Sequence, residues 1–473
     1  MIDTQTKDEI IEIFGNENVI DDVQLLEELG NPEIIVKAEE KSQIIKLVNL
    51  AIKNMFPIIP KSSKIDYYDG AIPLHGGVLL DMSNMKKILN IRATSSRNIT
   101  IQPGVTYEEL QKFLNEKGYK CMVPLGLPSQ ASVVSSYLER IPLLSAPLVL
   151  LFEGSQCIMD LEVIRGDGSI LHTGSAATVP TRPGISPNGP VGPDWTRVFT
   201  AAQGTMGIVT EMTLKFKHIP KHQKILMKPY EDMGNMLDDM VKIKRMDIGK
   251  ECLGISKLNF ATILTNDKAK ISELCYNLPN WILVLNITGY DEEEVEILEE
   301  DLKDLDVMLS NDIIKDIVAV PNVEEILLEE FNLPNKLVAH RNYKENCDIL
   351  PFYARKSMIL VYDNIIKMKA DKLGYDINEL YGYIMPVEQA RIFYIEYTFH
   401  SDSSENEKVN KLFEELSDYI ISAGGIIDRP YGIWREMIYS KIPDYMKLLK
   451  QVKHILDPLN IFNPGKIIPM EGD

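Results

Sequence analysis

One stretch, Phe56–Ser83 (FPIIPKSSKIDYYDGAIPLHGGVLLDMS), constrains this chain more than any other. Two apolar runs of strand type, Phe56–Ile59 and Val78–Leu80, bracket a long polar segment punctuated by Pro60, Gly70, Pro73, Gly76 and Gly77. Punctuation of this kind makes the loop, rather than the strands, the informative part. A loop that long inside a folded domain is usually functional or mobile. The run Lys61-Ser62-Ser63-Lys64 is small and polar, so successive backbone N–H groups could turn toward a phosphate with lysines beside them. A solvated connection with its lysines in water accounts for the same residues equally well, and the segment alone does not choose.

At 473 residues the chain exceeds one ordinary core, so two or three domains are expected. A net charge of −19 repels polyanions and argues against a nucleic-acid partner. Much of the acidity sits in Asp291–Asp306, where Val295, Leu298, Leu302 and Leu305 recur at helical spacing, the mark of an amphipathic helix with a solvated acidic face. The five cysteines contain no C-x-x-C pair, which excludes a disulfide framework and a zinc or cluster site of that spacing. The opening residues lack the apolar core of a signal peptide, and the longest apolar candidate, Leu143–Phe152, is short and broken by Pro147. These features predict a cytoplasmic protein.

Taken in order, the chain first alternates strand and helix. Ile34–Val36 reads as a strand, and Lys41–Lys53 places Ile44, Leu47, Val48 and Ala51 on one helical face. Thr106 with Glu109 predicts a capping box opening a helix over Tyr107–Lys117, which Gly118 stops. In Val123–Arg140, Ser129, Ser132, Ser135 and Ser136 either allow close approach of a bound group or begin an ordinary buried helix. Asp160–Arg165 and Ser169–Thr173 form a hairpin about an Asp-Gly turn. Thr178–Asp194, with five prolines and three glycines, reads as a lid or a mobile excursion. In Phe199–Phe216, Gly204 and Gly207 flank Thr205-Met206 ahead of an alternating strand; they let backbone approach a flat or anionic ligand, or make a plain tight turn. Beyond Pro220 the pattern suggests a separate α+β domain with an antiparallel sheet. Its expected strands include Trp281–Ile287, Ile317–Val320 and Phe393–Phe399, and its expected helices Glu293–Leu305 and Glu405–Ala423. The tail ends in a helix, Asp444–Leu456, and a Gly/Pro-rich segment.

Five segments, PIIPKSSKIDYYDGAIPLHGGVLLDMSNM, ITIQPGVTYEELQKFL, DLEVIRGDGSILHTG, AAQGTMGIVTEMTLKF and ILDPLNIFNPGKI, occur in the order found in the vanillyl-alcohol oxidase and p-cresol methylhydroxylase superfamily, which the chain resembles. The resemblance implies an α+β protein. A two-subdomain FAD-binding domain would comprise residues 1–220 and the return 425–473, and an inserted α+β cap with an antiparallel sheet would span 221–424. It is nearest in look to the 4-alkylphenol-oxidising branch. On that likeness the catalytic group is Tyr68, in KIDYYDGAIP, with Trp434 and Arg435, in YGIWRE. The FAD-contacting residues are Pro60, Lys61, Ser62, Ser63, Lys64, Tyr67 and Gly70 from the first loop, and Ser129, Ser132 and Val133 before and within the small-residue segment. Gly204, Thr205, Gly207, Ile208 and Val209 come from the second turn, and Arg435 and Lys466 from the tail. Glu139 and Arg140 stand where the branch has a Glu-Arg pair. No histidine aligns with the positions used for covalent attachment, so non-covalent FAD is expected, and no metal.

Removing a hydride para to a phenol is easier from the phenolate, and a phenol ionises at neutral pH only where positive charge and hydrogen-bond donors lower its pKa. Arginine supplies permanent charge with a fork of donors, and tyrosine an O–H. The expected function is therefore a FAD-dependent dehydrogenase or oxidase of a hydroxylated organic molecule, with a 4-alkylphenol among the candidates. A 2-hydroxyacid dehydrogenase of the glycolate or lactate type is the alternative within flavoenzymes. A flavin-less structural or regulatory subunit of a redox complex is the alternative of another class. Electrons would pass to an external acceptor, which includes a separate protein, and a homodimer is expected from the family.

Overall fold

The computed structural model describes residues 2–63, 69–94, 96–122, 128–139, 157–177, 192–318, 320, 322–332 and 343–470. Its first sheet runs in the order Val19–Ile20, Ile34–Lys37, Val78–Asp81, Ile58–Lys61. The last three strands are parallel, with Ile34 and Ile58 both level with Val78. Helix Lys41–Asn54 buries Ile44, Leu47, Val48 and Ala51 against this sheet, as its spacing predicts. The strands that flank the 62–77 loop are therefore fixed in a core while the loop leaves from the sheet's end.

A second sheet, all antiparallel, is ordered Ile88–Arg92, Asn98–Ile101, Ile208–Lys215, Ile158–Ile164, Ile170–His172. The Asp-Gly hairpin is formed, with Arg165 N–H donating to the Ser169 carbonyl. Helix Tyr107–Asn115 carries the predicted capping box: Thr106 accepts from Glu109 N–H while the Glu109 carboxylate takes the Thr106 N–H. Tyr107, Leu110 and Leu114 from this helix and Val133, Val134 and Tyr137 from helix Val133–Glu139 share one core with the sheet.

The third sheet has six antiparallel strands in the order His222–Tyr230, Trp281–Gly289, Glu251–Ser256, Tyr381–Val387, Ile392–Ser401, Asn346–Ala354. Both faces are covered, one by helices Met233–Arg245, Lys356–Lys372 and Asn406–Ser422, the other by Lys257–Leu264, Lys268–Asn277, Asp312–Val318 and Val323–Asn332. One expectation fails here. The apolar run Ile317–Val320 is not a strand, because Asp312–Val318 is a helix that buries Ile314 and Val318 four residues apart on one face. The acidic segment is a helix as expected, Glu292–Asp304, capped by Asp291.

The chain then returns. After helices Trp434–Tyr439 and Pro443–Leu456, the tail lies beside Ile58–Lys61, with Ile58 N–H donating to Ile461 O and Asn463 N–H to Ile58 O. No helix among the described residues is long and apolar enough to cross a membrane. Of the expected excursion Thr178–Asp194, residues 178–191 lie outside the described residues.

Candidate active site

A cleft opens where the four- and five-stranded sheets meet. Its walls are the end of the first sheet (Pro60, Lys61, Ser62, Ser63, Gly70, Ala71), the entry and inner face of helix Val133–Glu139 (Ala131, Ser132, Ser135, Ser136, Glu139) and the turn Ala202–Gly207 with Phe199 and Val209. Segments far apart in sequence are brought together because each leaves the end of a buried strand or helix.

The serines do not block the cleft; they knit its wall. Ser132 Oγ donates to Pro103 O at 2.6 Å and accepts from Ser135 N–H. With its one proton committed, Ser132 Oγ is the acceptor in its 3.2 Å contact with Ser62 Oγ. Ser63 Oγ accepts from Ser132 N–H at 3.3 Å. The loop is thereby tied to the helix entry across the cleft.

The opposite turn is strained and firmly held. Ala201 and Gln203 have φ of 54° and 44°, uncommon for residues with a Cβ. Gly204 has φ 68°, and a Cβ there would stand 2.4 Å from Pro60 Cγ. A Cβ at Gly207 would meet Val163 Cγ1 at 2.6 Å. Glycine at these two positions lets both walls approach. Glu139 accepts the Gln203 N–H at 3.3 Å and the Tyr431 O–H at 2.6 Å through one carboxylate oxygen, joining the helix, the turn and the returning tail.

Of the residues expected to touch FAD, Pro60, Lys61, Ser62, Ser63, Gly70, Ser132, Gly204, Gly207 and Val209 line the cleft. Val133 and Ile208 are buried in the cores behind it, and Ser129 lies near Glu108, its Oγ 3.4 Å from that carboxylate. Thr205 turns its hydroxyl onto Ala202 O, 2.7 Å away. Lys64, Tyr67, Tyr68 and Arg140 lie outside the described residues. The two tail residues expected at the chemistry, Trp434 and Arg435, have partners of their own. Trp434 is buried in the core of the six-stranded sheet, with its indole N–H donating to Ser417 Oγ at 2.9 Å and its ring 5.7 Å from that of Phe413. Arg435 spends its guanidinium on main-chain carbonyls, donating from Nη1 to Gly465 and Lys466. Lys466 in turn donates to Asp69 O, at the foot of the first loop. The arginine of the return that is almost wholly buried is Arg429, 1% exposed, two residues before Tyr431. Sequence reasoning passed over it because nothing in IIDRPYGIWRE marks which arginine turns inward.

The comparisons with known proteins agree with this architecture. The FAD binding domain family matches residues 32–174, and the C-terminal domain family of FAD linked oxidases matches residues 390–467. The chain is a FAD-linked oxidoreductase built from these two domains, and it shares its fold with the solved structures named below. The glycolate oxidase subunit GlcD of Bacillus subtilis (strain 168) is 25% identical to the flavoenzyme over all of this chain and 98% of its own length. A D-lactate dehydrogenase of Anaerostipes hadrus is 22% identical over 96% of this chain and 93% of its own. Among solved structures, p-cresol methylhydroxylase with substrate bound superposes with a TM-score of 0.85 at 18% identity, covering 99% of this chain and 97% of that one. The 4-ethylphenol oxidase from Gulosibacter chungangensis in its isoeugenol complex gives 0.83 at 16% identity, covering 99% of each chain.

The cleft fits the cofactor. Two glycines keep its walls clear of side chains at the closest approach. Beside it Asn463 Oδ1, fully buried, has no hydrogen-bond partner among the described residues, an acceptor that a bound group can satisfy.

Proposed function

We propose that this flavoenzyme removes a hydride from a hydroxylated organic substrate held as an anion, with a 4-alkylphenol the first class to test. Bound FAD supplies the two-electron acceptor. The observation that carries the reading is the returning segment Asp428–Tyr431. It brings a buried arginine, Arg429, into the same turn as Tyr431, whose hydroxyl reaches the cleft-lining Glu139. A guanidinium withdrawn from water favours a phenolate over a phenol, and a phenolate releases hydride from its para carbon more readily. Arg435 donates from Nη1 to the tail carbonyls of Gly465 and Lys466, and this reading takes the more deeply buried Arg429 for the role instead. Tyr68 keeps its proposed place as a donor to the phenolate oxygen.

A 2-hydroxy acid is the second reading, favoured by the full-length likeness to a glycolate oxidase subunit and a D-lactate dehydrogenase. The same arginine would then hold a carboxylate. We also propose domain limits of 1–220, 221–424 and 425–473, non-covalent FAD, a cytoplasmic location, and reoxidation by an external acceptor with a homodimer or a redox complex as the working assembly.

Anaerobic mixing of the FAD-loaded protein with 4-ethylphenol, D-lactate and glycolate tests the substrate class through bleaching of the flavin band. Bleaching by the phenol, with at least a hundredfold loss of rate in Arg429→Met, is expected. Bleaching by the hydroxy acids alone moves the assignment to the second reading, and parent-like rates in Arg429→Met remove Arg429 from the site.

A further inference from the structure

We infer that Asn463 and Lys453, in the C-terminal return, are positioning residues for FAD: they draw main-chain carbonyls away from the cleft and thereby turn the paired amides toward the cofactor. The inference concerns the cofactor site and does not rest on the identity of the substrate.

The Asn463 side chain is fully buried, and its Nδ2 donates to two carbonyls on different walls, Gly70 O at 2.8 Å and Gln203 O at 2.7 Å. The Lys453 ammonium, also buried, donates to Thr205 O at 2.6 Å and to Phe462 O at 3.0 Å, and pairs with the Asp457 carboxylate. Asp457 accepts from the Ile461 and Phe462 N–H groups, so the ammonium and the segment carrying Asn463 form one unit.

A trans peptide places its C=O and the following N–H on opposite sides of one plane. With the Gln203 and Thr205 carbonyls held by the tail, the Gly204 and Met206 N–H groups face the other way. Gly204 and Met206 both line the cleft. The conformation is not one the turn would keep unaided, since Gln203 and Ala201 carry positive φ without being glycine. Asn463 itself sits at φ 40°, a value tolerated by asparagine better than by most residues. Two acceptor-hungry amides are thus aimed at one place, and the electron-rich atoms of a dinucleotide, pyrophosphate oxygens or flavin carbonyls and ring nitrogens, are the partners they fit.

The test uses the full chain, stripped of FAD and titrated with FAD while flavin fluorescence is followed. The Asn463→Ala and Lys453→Met variants are each expected to raise the FAD dissociation constant at least tenfold. At saturating FAD they should also shift the visible absorption bands of the bound flavin, with Lys453→Arg recovering most of both effects. Should Asn463→Ala fail to fold, Asn463→Ser keeps one donor, and the same two readouts apply. A dissociation constant within twofold of the parent overturns the inference. So does weaker binding with a parent-like flavin spectrum, since that is what a purely structural role would produce. Loss of phenol oxidation with unchanged FAD binding would bear on the substrate reading instead.

Discussion

At the scale of single residues, the two arginines of the return show how burial separates groups that residue type does not. Arg429 and Arg435 carry the same charge, yet one is enclosed and the other caps the ends of two peptide groups at the Gly465-Lys466 turn. Hydrogen bonds from a charged donor contribute about 1.5–3 kcal/mol each. Arg435→Ala is therefore expected to destabilise the fold by about 1–3 kcal/mol in urea unfolding. The rate of flavin reduction in the FAD-saturated enzyme should stay within a few-fold of the parent, and a reduction rate lost without any loss of stability would return Arg435 to the chemistry. Lys453 illustrates the same dependence on surroundings. Burial pushes its ammonium down from the usual lysine value, and only the adjacent Asp457 carboxylate opposes that, by Coulomb attraction and a hydrogen bond.

At the scale of elements, sequence patterns are most informative where a local rule decides. The capping box at Thr106, the helix over Lys41–Asn54 and the Asp-Gly hairpin are all formed, because each needs only residues three or four apart or a two-strand turn. The run Ile317–Val320 shows the converse. Four apolar residues fit a strand and a short helix alike, and burial of Ile314 with Val318 settles the matter for the helix. The turn at Gly204 depends on both levels: its glycine is visible in the sequence, whereas the proline it must clear lies on another sheet. Gly204→Ala is expected to cost about 1–2 kcal/mol from left-handed backbone alone. Contact with Pro60 should add to that, so FAD affinity measured by fluorescence titration should fall more than tenfold. Parent-like affinity would mean that the two walls can part without consequence.

Across the whole molecule, buried charge joins the FAD-binding part to the cap. Lys120 and Glu251 come within 3.6 Å, both almost fully enclosed, and Lys120 also donates to Asn332 Oδ1 at 2.9 Å. Glu251 is further held by Asn286 Nδ2 at 2.8 Å. Removing one partner strands the other charge, so Lys120→Met should cost about 3–5 kcal/mol in urea unfolding, with much of the loss restored by adding Glu251→Gln. An unrestored double variant would show that the contact acts through shape rather than charge. Between the two smaller sheets, Glu211 is raised above its ordinary pKa by burial first and by neighbouring Glu162 second, against the pull of Lys41. The folded chain therefore binds more protons than the unfolded chain once pH exceeds the free value of about 4.5. Stability from this group is complete below that value and is lost as pH rises through the folded pKa. Glu211→Gln should accordingly raise the melting temperature at pH 7, and the gap from the parent should close as pH falls below about 4.5. A gap that widens on acidification would contradict the sign.

Read alone, the sequence determined the helix over Lys41–Asn54, the capped helix after Thr106, the Asp-Gly hairpin and the antiparallel character of the cap. Those features follow from periodicity, turn residues and caps, which act over a few neighbours. It did not determine which polar groups hold the cofactor turn or which arginine turns inward. Asn463 finds its carbonyl partners 393 and 260 residues away, and Arg435 finds its own in the tail loop only after the chain has returned to the first sheet. Contacts of that kind are settled by how separate cores stack and by the need to satisfy buried polar groups at their junction, and only the tertiary structure shows either.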